Sequence, residues 1–409
     1  MKKKGNMIYV GFFFVLCLIP SVGMLLPQTQ GSATENRKLA VWPQLRTEKG
    51  WNTDFLSEAG EYFQDHFGFR QQLVTANALI NGKIFGVSTA DGVIQGKNGW
   101  LYYKDSLSDY LGTEPMSERA LFNVAHTLSM MQDYTEKSGA KFLFTIAPNK
   151  NTLYGENMPY YDSMIVSEDK NMDRIEAYLE KENVNYVNLK EILESSDEVL
   201  YHERDSHWNN KGAALAGDAL MTALDKEHTD YTQESYEECV DFTGDLDEML
   251  YPLALTEEKE IYYDKADVFA YVGEVESNFD PKITTVNPGS TGSLVMYRDS
   301  FGNAILPFFA NSYANAYFSR GIPYQMTDLA EHQADTVIVE RAERFLPEMA
   351  ENPPQMEAPQ LTVGAVMEPE MEENARGTVT AEVQGDLVKV SGLVAVSYTH
   401  LTLPTICSV

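Results

Sequence analysis

Apolar and polar positions follow two different periods along this chain, and the changes of period mark out its elements. Lys141–Ala147 reads KFLFTIA, apolar at nearly every position, and is closed by Pro148-Asn149-Lys150. A run that is apolar on both faces predicts a strand covered on both sides, as in a parallel sheet, with a loop at its C-terminal end. Ser293–Tyr297 and Thr336–Val339 have the same character, and Val184–Leu189 is a shorter strand candidate. Between these runs the period becomes helical: around Phe55–Phe69, from Ser117 to Ser138, over Lys170–Lys181, and just after Trp208-Asn209. In the last of these Ala213, Ala216, Leu220 and Leu224 repeat at helical spacing. Gly96-Lys97-Asn98-Gly99 before Trp100-Leu101-Tyr102-Tyr103 predicts a tight turn entering a strand. Strands alternating with helices predict an α/β domain whose mainly parallel sheet binds ligands beyond the C-terminal ends of its strands. The Asn149 loop and the residues after Tyr297 both lie at such ends.

Other spans break this alternation. Residues 225–291 are polar and aromatic with few clear periods, and are expected to be an insertion that caps or walls the site. Pro353-Pro354 marks a linker, and Leu361–Ala395 alternates in strand fashion, like the start of a separate C-terminal β domain over 349–395. At the other end, Lys2, Lys3 and Lys4 precede an apolar run from Met7 to Leu26. A basic segment followed by such a run is an export signal, and the run is about long enough to span a bilayer. Gly31-Ser32-Ala33 is a late candidate cleavage site, so residues 1–33 are read as signal peptide or membrane anchor, the uncleaved anchor being favoured. The body of the chain is then expected outside the cytoplasm. Val396–Thr405 resembles a translated sequencing adapter, and 396–409 is set aside as an artefact.

Composition narrows the partners more than the chemistry. The chain has 61 acidic and 31 basic residues and a net charge of −30. That balance repels phosphate backbones and argues against a nucleic-acid partner. Three cysteines, one of them in the apolar run and one in the tail, leave no disulfide framework, which fits a bacterial surface better than a eukaryotic secretory lumen. Neither a P-loop nor a dinucleotide fingerprint is present, and no cofactor is implied.

Two segments carry candidate chemistry: Asp205-Ser206-His207-Trp208, and Arg298-Asp299-Ser300-Phe301-Gly302. Serine is a poor nucleophile until an imidazole takes its proton and an acid holds that imidazole in the right tautomer. Ser300 follows an apolar strand and precedes residues that can open a helix, so a sharp turn there would expose its side chain and aim N–H groups at an oxyanion. Pro307 predicts that this helix kinks or restarts after one turn. The alternatives are structural: Ser300 or Asp299 as one helix cap, and Asp205 or Asn209 as another, with His207 half exposed. Asp205, His207 and His202 are conceivable metal ligands, but no HExxH or spaced His/Cys cluster supports a metal.

Gly96–Tyr103, Ala147–Tyr154, Asp205–Asn209 and Arg298–Gly302, in that order, resemble the SGNH-hydrolase-like group, which includes the alginate O-acetylation proteins and the bacterial DHHW family. Arg37, the Asp65–Arg70 segment and Val339–Arg344 also look like the DHHW pattern, and the resemblance covers about Glu35–Arg344. It implies an SGNH-hydrolase-like α/β sandwich over 34–348, in which acid and base precede the serine, a permuted order relative to ordinary SGNH esterases. It makes Asp205, His207 and Ser300 a triad. Asn149, Lys150, Tyr154, Trp208 and Arg298 are the further candidates for oxyanion or substrate contacts. It departs from the family at Arg298, where a glycine is expected before Asp-Ser, and the usual oxyanion glycine and asparagine blocks are not evident. The implied function is O-acyl transfer or ester hydrolysis on an envelope or exported polysaccharide, with the acyl group delivered by a membrane-bound partner. The other reading is a non-catalytic carbohydrate-binding or envelope-assembly protein on the same fold.

Overall fold

The computed structural model describes residues 40–47, 50–264 and 268–357, with short stretches at 10–15, 18, 23, 377–384, 387–394 and 407–408. The export segment expected over 1–33, the Gly31–Ala33 cleavage site, Arg37 and the adapter-like tail lie largely outside the described residues. No described helix is long and apolar enough to cross a membrane.

A hairpin pairs β1 (Val93–Gln95) with β2 (Leu101–Tyr103), and its turn places Asn98 at φ 57° and Gly99 at φ 92°. The body is a seven-stranded sheet. It contains β3 (Lys141–Ala147), β4 (Tyr186–Val187), β7 (Ala270–Tyr271), β8 (Lys282–Val286), β9 (Ser293–Tyr297), β10 (Asn315–Ser319) and β11 (Thr336–Ala342), in the spatial order β4-β3-β11-β9-β10-β8-β7. The five strands from β4 to β10 run parallel; β8 and β7 close one edge antiparallel. A further pair, β5 (Tyr236–Phe242) and β6 (Glu258–Tyr263), forms a separate antiparallel ribbon.

The continuous apolar runs divide by residue parity, as side chains on a strand must. Leu143, Ala147, Leu294, Met296, Ile338 and Ala342 face one buried layer, with Leu189 and Leu193 of α3 (Leu189–Glu194), Ala213 and Leu220 of α4 (Asn210–Ala223), and Ile305 and Phe309 of α6 (Gly302–Ser312). Phe142, Phe144, Ile146, Val295, Tyr297, Val337 and Val339 face the other, under α1 (Glu118–Lys137) and α2 (Asn171–Lys181). Two covered faces explain why these strands are mostly apolar on both sides, each fully buried Leu or Phe contributing about 1.5–3 kcal/mol. The architecture is therefore mixed α/β with a large, mainly parallel sheet, as the alternation of periods predicts.

Three local expectations change. The fourth strand candidate shrinks to two residues of edge strand. The span 225–291, expected as an insertion, supplies β7 and β8 to the main sheet as well as α5 (Asp245–Leu250), which packs with the β1–β2 hairpin through Leu246, Leu250, Val93 and Leu101. Pro307 does not break α6: the Asn303 carbonyl that its missing N–H leaves free accepts instead from Asn278 Nδ2 at 3.4 Å. In the expected C-terminal β segment, residues 377–384 and 387–394 pair as an antiparallel hairpin.

Candidate active site

The loop between α3 and α4 folds back on itself. The Asn209 N–H donates to the Leu200 carbonyl at 2.9 Å and the His202 N–H to the His207 carbonyl at 3.3 Å, which leaves Asp205 and Ser206 at the tip. Asn209 also caps α4, its side chain accepting the Gly212 N–H at 3.0 Å. The capping role is thus filled by Asn209, and Asp205 is free for other contacts.

At the far edge of β9, Ser300 sits half-buried on the turn into α6. Asp299 holds that turn: Oδ1 accepts the Phe301 N–H at 2.9 Å and Oδ2 the Ala342 N–H at 2.7 Å. The N–H groups of Ser300 and Gly302 have no acceptor among the described residues. Orphan donors of this kind are normal in a first helical turn.

The two segments meet. His207 Nε2 is 2.8 Å from Ser300 Oγ and His207 Nδ1 is 2.7 Å from Asp205 Oδ1, across 93 residues of sequence. The His207 N–H donates to the same Asp205 oxygen at 2.8 Å, and the Asp245 N–H donates to Oδ2 at 2.8 Å. Burial by itself raises the Asp205 carboxyl, but the His207 charge and these hydrogen bonds outweigh it and hold it well below the ordinary range. Burial lowers His207, yet the Asp205 charge, its hydrogen bond and the Asp245 charge together raise it, against Arg344. An imidazole with its Nδ1 hydrogen fixed on a carboxylate presents a lone pair at Nε2, the tautomer that can accept a hydroxyl proton.

The other predicted residues have different partners. Lys150, expected near substrate, is buried and spends its three donors on the carbonyls of His202 (3.0 Å), Glu203 (3.0 Å) and Asp205 (2.6 Å). Burial lowers its ammonium to about 8. Trp208 is also buried, donating from Nε1 to the Phe301 carbonyl at 3.1 Å and lying edge-on to the Phe301 ring. It ties the histidine loop to the serine turn. The Tyr154 hydroxyl accepts the Leu200 N–H at 2.8 Å. Asn149 is fully buried; its side-chain N–H₂ donates to Asp109 at 3.1 Å and its amide N–H to Glu343 at 2.8 Å. These four therefore shape and anchor the loops, and the Asn149 side chain is fully buried with one of its two N–H donors on Asp109.

Arg298 turns beneath α6. It donates to the carbonyls of Asp299 (3.2 Å), Asn278 (2.9 Å) and Asp280 (3.2 Å) and to the Asn303 side chain. Burial lowers its guanidinium to about 10. Its backbone is not left-handed, so a glycine is not needed there for conformation. The close approach falls instead at Gly302, where a Cβ would come 2.6 Å from Arg298 Cβ and Cδ.

Sequence reasoning missed Asp245 and gave Arg344 no role. Asp245 begins α5 and accepts the Ser206 N–H at 2.8 Å and the Ser206 hydroxyl at 2.6 Å. Arg344 follows β11, donates to Asn149 Oδ1 at 3.3 Å and lies 5.3 Å from the Phe301 ring centre. No sequence signal pairs Asp245 with a loop 40 residues earlier; Arg344 was visible only as part of the Val339–Arg344 pattern. The three ligand types weighed from sequence do not converge: His202 is paired with Glu260 at 3.0 Å, and Asp245 takes the third place beside Asp205 and His207.

Residues 93–272 match the family model described as SGNH hydrolase-like domain, acetyltransferase AlgX. The matched stretch contains Asp205, His207 and Asp245 and ends before Ser300. The Probable alginate O-acetylase AlgJ of Pseudomonas syringae pv. tomato is 24% identical over 178 residues, 42% of this chain and 43% of that protein, so the chain spans less than half the length of this curated relative. Among solved structures, a DHHW family protein from Eubacterium siraeum is 16% identical with a TM-score of 0.47, covering 63% of this chain and 94% of that one. The O-acetyltransferase domain of Pseudomonas putida AlgJ is 16% identical with a TM-score of 0.43, covering 63% and 92%. Over residues 93–272 the chain is thus similar to the SGNH hydrolase-like domain of AlgX.

Proposed function

We propose that this protein is a serine-dependent O-acyltransferase or esterase acting outside the cytoplasm on a cell-envelope or exported polysaccharide. The observation that carries this reading is the continuous hydrogen-bonded chain from Asp205 through His207 to Ser300. In the first half-reaction Ser300 Oγ attacks the acyl carbonyl carbon while its proton passes to His207 Nε2. Asp205 keeps Nδ1 protonated and stabilises the imidazolium. The oxyanion is taken to be bound by the Ser300 and Gly302 N–H groups, which have no acceptor among the described residues, in the role first given to Asn149. Collapse expels the donor alkoxide, which takes the proton from Nε2, and leaves an acyl-serine. A sugar hydroxyl, or water in an esterase, then gives its proton to Nε2 and attacks the acyl carbon, and Ser300 Oγ leaves by taking that proton from Nε2.

The names of the AlgX and AlgJ relatives support an acetyl group and a polysaccharide acceptor. The acyl donor is taken to be a membrane-bound partner, and the N-terminal segment to hold the 34–348 domain at the membrane, with 349–395 as a separate β unit. Arg298, which motivated the binding-only reading, leaves the His207–Ser300 contact intact.

The test is turnover of an activated acetyl ester, with and without an oligosaccharide acceptor, alongside intact-mass spectrometry. The expected result is one added acetyl group that maps to Ser300, and no adduct in Ser300→Ala. Wild-type turnover by Ser300→Ala refutes the proposal.

A further inference from the structure

Asp245 stands outside the three-residue relay, yet it is built into it. Its N–H donates to Asp205 Oδ2 at 2.8 Å, and its two oxygens accept the N–H and hydroxyl of Ser206 at 2.8 and 2.6 Å. Its Oδ2 also lies 3.7 Å from His207 Nδ1, too far for a hydrogen bond but close for a charge. The backbone enforces this approach. At Gly244 a Cβ would collide with the Arg204 carbonyl oxygen and come 2.7 Å from the Asp205 nitrogen. Only a residue without a side chain lets the start of α5 dock against the loop.

We infer that Asp245 is a positioning residue of this site: it pins Ser206 and places a second carboxylate beside Asp205, whose charge sets how readily His207 holds a proton. The inference deepens the proposed role of His207 as base and rests on it.

The other groups facing this pair fix the background. Asp205 and His202 belong to the loop itself, and Arg344 stands at the end of β11, opposing protonation of His207. Lys150, from the turn after β3, interacts with both aspartates and with Glu258 of β6. Tyr103 of β2 faces Asp245, and Glu248 and Asp247 lie on α5 itself. Burial first, and the Asp205 charge second, push Asp245 up to about 6. Its charge is therefore present at neutral pH and fades under mild acid.

The experiment follows the His207 ring by NMR through a pH titration of the full chain, alongside kcat/KM on an activated acetyl ester. Asp245→Asn keeps an oxygen for Ser206 and removes the charge. It should lower the His207 midpoint by about one unit and move the acid limb of kcat/KM down with it. Ser206→Ala removes the hydroxyl bond to Asp245 and the 3.2 Å contact of that hydroxyl with His207 Nδ1 but leaves the charge, and should move the midpoint much less than Asp245→Asn does. In the unmutated protein the ring signals should show a second step as Asp245 gains its proton, a readout that needs no variant to fold. An unmoved midpoint in folded Asp245→Asn, an equal shift in Ser206→Ala, or a single-step wild-type curve overturns the inference. If the midpoint moves while Ser300→Ala turns over like wild type, the proposed function fails and this inference stands.

Discussion

Asp205→Asn tests the site most directly, because Asp205 is the acceptor on which three N–H groups converge. Oδ1 takes the backbone and ring N–H groups of His207 at 2.8 and 2.7 Å, and Oδ2 takes the Asp245 N–H at 2.8 Å. Asparagine has one acceptor oxygen. It can serve His207 or Asp245, and in either orientation its own N–H₂ faces another N–H. Losing a charge-assisted bond and opposing two donors costs about 2–4 kcal/mol of stability. The kinetic cost is larger. If the amide faces His207, the ring is held with Nδ1 accepting and its proton on Nε2, where it cannot take the Ser300 proton. A wrong-tautomer imidazole of this kind lowers kcat by at least about 10³-fold. Asp245 does not rescue it, since 3.7 Å is beyond hydrogen-bond range of Nδ1. Steady-state hydrolysis of an acetyl ester reads the kinetic loss and urea unfolding reads the stability. A fall of less than about tenfold, in a background where Ser300→Ala is inactive, removes Asp205 from the role of orienter.

The same residue makes stability depend on pH. Its folded carboxyl is held below its unfolded value, so its contribution is full above the ordinary carboxylate range and is lost as pH falls through the folded pKa; acid unfolding of Asp205→Asn should be correspondingly flatter. His207 is raised, so the acid limb of kcat/KM should lie above the ordinary histidine value of about 6.5. A limb below that value contradicts the geometry. Gly244→Ala should displace α5 from the loop, because the atoms its Cβ meets are backbone and cannot swing away; kcat should drop and the melting temperature fall together. Asn209→Ala removes the cap of α4 and should cost about 1 kcal/mol in thermal unfolding, and an unchanged melting temperature would count against the cap.

The sequence by itself determined the elements that depend on local periodicity and on caps. KFLFTIA is apolar at nearly every position because β3 has neighbours on both faces, and that requirement is written residue by residue. The helix after Asn209 and the turn at Ser300 are local too, since a cap or an elbow is specified within a few positions. The pairing of His207 with Ser300 lay across 93 residues, and it was reachable only through the order of motifs shared with a family. The tertiary structure alone decided which polar atoms have a partner. Lys150, Trp208 and Asn149 look like substrate contacts in one dimension, but in three they are consumed by the Asp205 loop, the Phe301 carbonyl and the Asp109 side chain. Arg298 occupies the position of an expected glycine and turns under α6, while the tight approach moves to Gly302. Asp245 enters through a helix in a span with no clear period, brought in by the bare backbone of Gly244. The physical reason is that burial periodicity is encoded locally, whereas a hydrogen-bond partner is fixed by how distant segments close on one another, and a buried donor takes whichever acceptor that closure brings within about 3 Å.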